Sequence, residues 1–427
     1  MDTFDVIIIG SGPAGLGAAF TIIEESPSTR VLILDGNNYS SGGLRNDCKM
    51  NFTFPIGFPL EAWNRDQAEL YLDKAARILE PRFMKKENIE VYRNRAEKLG
   101  VELLSVEQTH LGTDGGLELI KKLCGRLTGL GVEFSLGETA GSVDFSGRIL
   151  ETDKRKLGFS SLLVAPGRGG FKYLQRVMDE GGIPYVDHIV DIGIRLETRL
   201  ENYPIVKDYY DPKFLFPDKV RTFCTNSGNA HVVRERYQSQ HGDVYYSING
   251  HAWSAERPAN GLVNFAMLKT IRFTEPLASG QAFAENLGLQ AMLMGGGRPI
   301  MQRVGDFRLG KRSKSGCFNH DLYNFEPTLA DCTPGDISLA APAKILRGIW
   351  KSLKLLDTIV PGVLHPSTIM YYPEIKLYAN KPEFIDDTFR VSEAVWFAGD
   401  GAGVSRGITA AWASGIRAAE GIVKNSA

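Results

Sequence analysis

Gly10-Ser11-Gly12-Pro13-Ala14-Gly15 have the types and spacing to hold a pyrophosphate. In such a G-x-G-x-x-G turn the first glycine makes the sharp bend, the second lets a phosphate approach the backbone, and the third lets the helix pack closely on its strand. The helix N-terminus then offers N–H groups and positive dipole to the anion. Asp35 lies twenty positions after Gly15, where a carboxylate can accept from ribose hydroxyls. Its neighbour Gly36 is a further candidate contact. The spacing alone is weak, and the setting strengthens it. Residues 6–9 read as a buried β-branched strand, 14 to about 25 as a small-residue helix, and 31–34 as a second buried strand. The alternative, a glycine turn with no ligand, would not need the acid at the end of that second strand.

This fingerprint serves FAD and NAD sites alike, and the other end of the chain separates them. Val395-Trp396-Phe397-Ala398-Gly399-Asp400-Gly401, followed by Gly407-Ile408 and a helix over 404–423, resembles the second FAD motif of flavoproteins with two dinucleotide domains. There Asp400 would hold ribityl or pyrophosphate oxygens. The helix N-terminus would face the isoalloxazine edge on which negative charge develops upon reduction. The alternative is an ordinary strand-turn-helix with a solvent-exposed aspartate. A single ligand, FAD, explains both ends.

Smaller pieces fit the same site. Leu162-Leu163-Val164-Ala165-Pro166-Gly167 resembles the alanine-threonine-glycine strand end of these folds, with proline in the middle, and makes Gly167 a candidate contact. Ser41-Gly42-Gly43-Leu44-Arg45 suits a loop over the phosphates, with Arg45 as counter-charge; the alternative is an exposed turn with a solvated arginine. Ala140, in the short strand 139–144, completes the candidate cofactor set.

The elements that must position these residues are spread over 427 residues, enough for two or three domains. Residues 51–99 read as a helical excursion with helices over 65–79 and 87–99. A helix over 115–128 follows, with Thr113 or Asp114 as N-cap. Short strands are expected at 132–136, 139–144, 148–151 and 161–165. From 171 to 387 long alternating strands such as 190–197, 220–234 and 243–252 predict a sheet-rich second domain. The nucleotide domain is then expected from 1–50, 100–170 and 388–427. A helix over 344–356 places Ile345, Leu346, Ile349, Trp350, Leu353 and Leu356 on one face and basic residues on the other. That pattern suits a core-facing helix, or one lying on a membrane.

Net charge is −1, with 43% apolar and 23% charged residues, which leaves no electrostatic footprint for nucleic acid. Five scattered cysteines, none in C-x-x-C spacing, argue against a disulfide framework or a metal site. The N-terminus lacks the pattern of a signal peptide or a membrane span, so a cytoplasmic setting is expected.

The strings SGPAGLGAA, HLGTD, VAPGRGG, VDIGIRLE, DPKF, VRTFCTNSG, INGHA, GDFRLGKRS and FAGDGAGVSRGITAA together resemble the uncharacterised bacterial and archaeal FAD-dependent dehydrogenases over nearly the whole chain. The ends match any glutathione-reductase-like flavoprotein, and the middle strings are specific to this family. The resemblance implies an α/β fold: a Rossmann-like, glutathione-reductase-type FAD domain with an inserted sheet-rich α+β substrate domain. It names a cofactor and no substrate. Two departures stand out. Cys48 replaces the glycine of the family's S-D-G-K-L, while Asp47 and Lys49 match. After Asp400 the family's usual glutamate and second aromatic are absent.

Dithiol-disulfide chemistry needs two cysteines near the acidic strand, and only Cys48 is there. The aspartate-glycine motif shared by FAD-dependent aromatic hydroxylases is missing. No second strand-linked G-x-G-x-x-G exists, and Gly295-Gly296-Gly297 reads as a loop, so NADH or NADPH would act as a transient electron donor without its own Rossmann domain. His251 and Cys224 are the candidate catalytic residues, His251 because imidazole exchanges a proton near neutral pH. The alternatives are a structural histidine and a packed thiol, and His110 is expected to support a helix start. The expected function is a FAD-dependent dehydrogenase or reductase passing a hydride between flavin N5 and a small organic molecule. The alternatives are a structural or redox-sensing FAD in a protein or RNA complex, and lipid or isoprenoid double-bond reduction at a membrane surface.

Overall fold

The computed structural model describes the chain apart from Ser41, Asn46, Gln240, 254–256, Glu275, Ala278, 320–323, 378–379 and Ala427; counts and absences refer to the described residues. The described chain forms two compact units. The first comprises Met1–Phe83, Val106–Asp187 and Tyr378–Ala427, the second Met84–Ser105 and His188–Leu377.

Val6, Ile7, Ile8 and Ile9 are buried on both sides of their sheet because parallel strands flank them on each edge. The strand Asp2–Ile9 pairs in parallel with Val31–Asp35 and with Lys156–Val164. Glu133–Leu136 adds in parallel outside Val31–Asp35, and Val395–Phe397 outside Lys156–Val164. Arg390–Ser392 closes that edge antiparallel, and a meander of Ala140–Asp144 and Ile149–Thr152 runs off Lys156–Val164. The parallel strands therefore all end at one edge of the sheet. Gly10, Asp35, Ala165 and Ala398 stand there together, where open α/β sheets bind ligands.

Two helices cover this sheet in backbone contact. A Cβ built on Gly415, in the helix Ile408–Ser426, would lie 2.0 Å from the carbonyl oxygen of Ala14, in the helix Pro13–Glu25. Phe20 stacks on Trp412 beside the crossing at 5.9 Å.

The unit boundaries differ from those expected along the sequence. The helix Arg65–Leu79 starts with a capping box, Asn64 with Gln67, and its Tyr71 hydroxyl donates to Glu420 at 2.7 Å, so it belongs with the nucleotide-type sheet. The helix Ile89–Glu97 and the strand Glu102–Leu104 belong to the second unit, because that strand pairs with Lys213–Phe216. The span 51–99 is thus divided between the units at Phe83. Residues 171–187 and 380–387 join the first unit, where Tyr185–Val186 pairs with Lys381–Pro382. The helix Gly112–Gly129 begins one turn earlier than expected. Thr113 and Asp114 consequently lie in its first turn, and Leu111 occupies the N-cap.

The second unit is built on an antiparallel sheet. Ile189–Arg199 lies at its centre between Ile369–Leu377 and Leu262–Arg272, followed outward by Val220–Asn226, Lys213–Phe216 and Glu102–Leu104. The expected strand 220–234 is two strands, because the chain turns at Gly228 (φ +82°) and Ala230–Gln238 pairs instead with Val244–Ala252. Gly295-Gly296-Gly297 ends the helix Gly280–Gly295, with Gly296 as its left-handed cap. The helix Ala343–Ile359 spends its apolar face on the core: Ile345, Ile349, Leu353 and Leu356 are at most 1% exposed. That face is not available to a bilayer, and no helix among the described residues is long and apolar enough to cross a membrane.

Gly415→Val forces side-chain atoms into the Ala14 carbonyl and should destabilise the fold by about 1–3 kcal/mol. A lowered urea midpoint checks this, and an unchanged midpoint contradicts the crossing geometry.

Candidate functional site

The first unit assembles the glycine turn from backbone constraints. Gly10 has φ +107°, its N–H donates to Leu34 O at 2.7 Å, and a Cβ there would lie 2.2 Å from Ala165 O. A Cβ on Gly15 would lie 1.9 Å from Gly10 O, so the helix returns almost onto the turn. Gly12 is the N-cap of Pro13–Glu25 and extended, with no side-chain cap. The first-turn N–H groups, which no intrahelical carbonyl can accept, include those of Ala14 and Gly15. Pro13 occupies the position where a missing N–H costs nothing. An uncapped helix start beneath a cradle that Cβ atoms would fill fits a pyrophosphate.

Asp35 does more than await a ribose. Its Oδ2 accepts from Ser11 N–H (2.9 Å) and the buried Ser11 hydroxyl (2.6 Å), and its Oδ1 from Asn37 N–H (2.9 Å) and Nδ2 (3.0 Å). The carboxylate thus pins the glycine turn to the strand end, and a bound ribose would share its lone pairs. Ser40 adds a hydroxyl bond to Ser11 O at 2.7 Å.

Ala140 and Gly36 flank this end. Glu138 N–H donates to Asp35 O at 3.1 Å, and a Cβ on Gly36 would meet Thr139 Oγ1 at 3.3 Å. Glu138 is held by Arg155 at 3.1 Å, Thr152 at 2.7 Å and the Ser135 hydroxyl. Burial alone would raise its carboxyl, but these hydrogen bonds prevail and pull it down to about 2.

The C-terminal motif lies against the same turn. A Cβ on Gly399 would come within 3.2 Å of Ala14 Cβ, and one on Gly401 within 2.6 Å of Gly167 O. Asp400 folds the following loop onto itself, accepting from the Ser405 hydroxyl (2.7 Å) and Gly407 N–H (3.0 Å), with Arg168 at 4.0 Å. Because that loop is tied to Asp400 and Gly407 has φ +86°, the helix begins at Ile408 rather than at 404. Gly43, in the turn Gly42–Arg45, lies over Ile408, where its Cβ would be 3.3 Å from Ile408 Cγ1. Arg45, expected to face phosphate, has its guanidinium 3.7 Å from the Tyr39 ring centroid. Ser41 lies outside the described residues.

Other residues at this site carry no motif. Gly57 O accepts from Arg406 N–H at 2.8 Å, and Trp63 Nε1 donates to Val404 O at 2.6 Å. Their signal in the sequence is only the aromatic, proline-rich run 52–63, too irregular to assign. Cys48 adopts φ +48°, the left-handed conformation suited to the glycine of the family pattern. Burial and the neighbouring Asp47 push its thiol up to about 12. His110, expected to support a helix start, holds Asp47 at 2.8 Å across a two-stranded ladder, and Lys49 joins the same carboxylate at 3.2 Å.

Cys224 and His251 are both in the second unit. Cys224 has φ +47°, and its Sγ lies 4.0 Å from Gly250 O, next to His251; its carbonyl accepts from Arg195 at 3.1 Å. His251 faces His231 across the hairpin ladder.

No family model matches the chain. A stretch of 40 residues is 55% identical to thiamine thiazole synthase of Aeropyrum pernix, covering 9% of this chain and 14% of that protein. Among solved structures, L-proline dehydrogenase from P. horikoshii superposes with a TM-score of 0.44 at 10% identity, over 99% of this chain and 94% of that one. Glycine oxidase from Geobacillus kaustophilus gives 0.43 at 11%, over 99% and 95%. p-Nitrophenol 4-monooxygenase from Pseudomonas putida gives 0.40 at 12%, over 100% and 82%. At scores of this size the functional reading rests on the residues of the site.

Because the folded Glu138 carboxyl lies below its ordinary 4.5, its stabilising contribution is complete above that value and lost as pH falls toward about 2. Urea midpoints measured across that window should fall less steeply for Glu138→Gln than for the unaltered chain; parallel curves would contradict the pairing.

Proposed function

We propose that this chain is a FAD-dependent oxidoreductase, a dehydrogenase or reductase that passes a hydride between flavin N5 and an organic substrate. The observation that carries the reading is the meeting of the two ends of the chain. The uncapped helix start at Gly12 and the Gly399–Ile408 turn lie on helices in backbone contact, so one extended dinucleotide explains both.

Bound FAD would supply a two-electron carrier whose N5 accepts or donates hydride. The protein's part follows from its own groups. N–H groups of Gly12, Ala14 and Gly15 would hold the pyrophosphate, with Asp35, Gly36 and Ala140 at the adenosine end. Asp400 and Gly167 would hold the ribityl segment, with Gly42 and Gly43 in the turn that lies over Ile408. The first turn at Ile408 would place positive dipole where reduction adds negative charge. The second unit would carry the substrate, with His251 and Cys224 as candidates to exchange a proton or shape the pocket. NADH or NADPH would deliver electrons transiently.

The purified protein should show a flavin spectrum or acquire one with added FAD. Gly12→Leu and Asp400→Ala should each weaken FAD retention by about tenfold or more, the scale of one lost charge-assisted hydrogen bond. Absence of any FAD binding would refute the reading, and unchanged retention in both variants would refute the site. Anaerobic stopped-flow absorbance with NADH and NADPH then identifies the donor.

A further inference from the structure

One face of the second unit's sheet carries a layer of charge. The ladder pairs Gly193 with Glu374 and Leu268, Asp191 with Lys376, Arg221 with Leu268, and Phe223 and Arg195 with Ala266. Directly paired residues project to the same side of a sheet. Asp191, Arg195, Arg221, Phe223, Glu374 and Lys376 therefore share a face, while Ile192, Ile194 and Leu196 alternate into the unit's apolar core.

Arg195 and Glu374 are both 0% exposed and form a two-point pair, Nε–Oε2 and Nη2–Oε1 each 2.8 Å. Arg195 Nη1 donates to Asn264 Oδ1 at 2.7 Å and Cys224 O at 3.1 Å. A Cβ on Gly250 would lie 2.3 Å from that same nitrogen, so the hairpin strand seals the arginine in. This pair is neutral, and four of the five arginine donors are bonded. Arg221 is answered by Asp191 at 2.6 Å.

Lys376 is left over. It is 5% exposed, its Nζ has no hydrogen-bond acceptor, and its ion partner, Glu374 Oε1 at 3.4 Å, is already committed to Arg195. An ammonium carries three donors, and burying one without acceptors is costly. Arg195, Glu374 and Lys376 together hold one uncompensated positive charge. The Lys376 ammonium lies 5.9 Å, and the Arg221 guanidinium 4.7 Å, from the centroid of the half-buried Phe223 ring.

We propose that Lys376 and Phe223 form a subsite for a small organic carboxylate, its charged end accepting from the Lys376 ammonium and its flat apolar body resting on Phe223. One surplus charge matches a monoanion, and a phosphate dianion would exceed it. The proposal rests on the second unit being the substrate unit of the oxidoreductase, and it names the class of that substrate.

Calorimetric titration of the full chain with benzoate, benzamide and inorganic phosphate tests this. Benzoate should bind about tenfold or more tightly than benzamide, which has the same shape without the charge, and than phosphate. Lys376→Met should lose that preference and Lys376→Arg retain it. Failure of benzoate to bind, equal affinity for benzoate and benzamide, tighter binding of phosphate, or full benzoate affinity in a folded Lys376→Met overturns the proposal. If Lys376→Met does not fold, the three ligands on the unaltered chain decide alone. Flavin content of the same samples, read from visible absorbance, separates the two readings. Flavin retained without benzoate preference overturns the subsite only, and benzoate preference in a chain that takes up no FAD supports the subsite and overturns the oxidoreductase.

Discussion

The backbone crossing of the helices Pro13–Glu25 and Ile408–Ser426 is the constraint on which the nucleotide-type unit depends. Gly415 gives up its side chain to Ala14 O, and Gly399 likewise comes up against Ala14. Two segments almost four hundred residues apart are thereby fixed side by side. In the proposed function a pyrophosphate would use one of these helix starts, and a ribityl chain and ring the other. Neither segment alone would span such a ligand, and a single added methyl group at the crossing would be felt by both.

The acidic residues of the site hold the protein together before they hold anything else. Asp35 accepts from Ser11 and Asn37, and Asp400 from Ser405 and Gly407. Each carboxylate fixes a glycine-rich turn. Such preorganisation lowers the cost of ordering the loop when a ligand arrives. The second unit treats charge differently. There it is buried in pairs across neighbouring strands, with one cation in excess.

Most of the glycine turn was legible in the sequence because its chemistry is local. Gly10, Gly12, Gly15 and Asp35 lie within one β-α-β unit, where strand and helix lengths fix the distances. The helix Arg65–Leu79 was legible for the same reason, its cap and apolar stripe being contiguous. The N-cap at 113 or 114, the unbroken strand 220–234 and the helix start at 404 were not. Each was decided by a long-range or conformational choice: a turn at Gly228, a loop tied to Asp400, a helix begun at a glycine. The span 51–99 looked continuous, yet its two helices found partners in different units.

The sequence by itself determined the parallel α/β unit, the position of the phosphate-type turn and the presence of a matching motif near the C-terminus. Tertiary structure alone decided that those ends touch, that Arg45 rests on Tyr39, that the apolar face of Ala343–Ile359 is spent in the core, and that Lys376 is buried without an acceptor. The reason is one of range. Periodicity and spacing encode what neighbours along the chain do together, whereas the pairing of Glu374 with Arg195, which leaves Lys376 over, depends on the register of strands that the sequence keeps far apart.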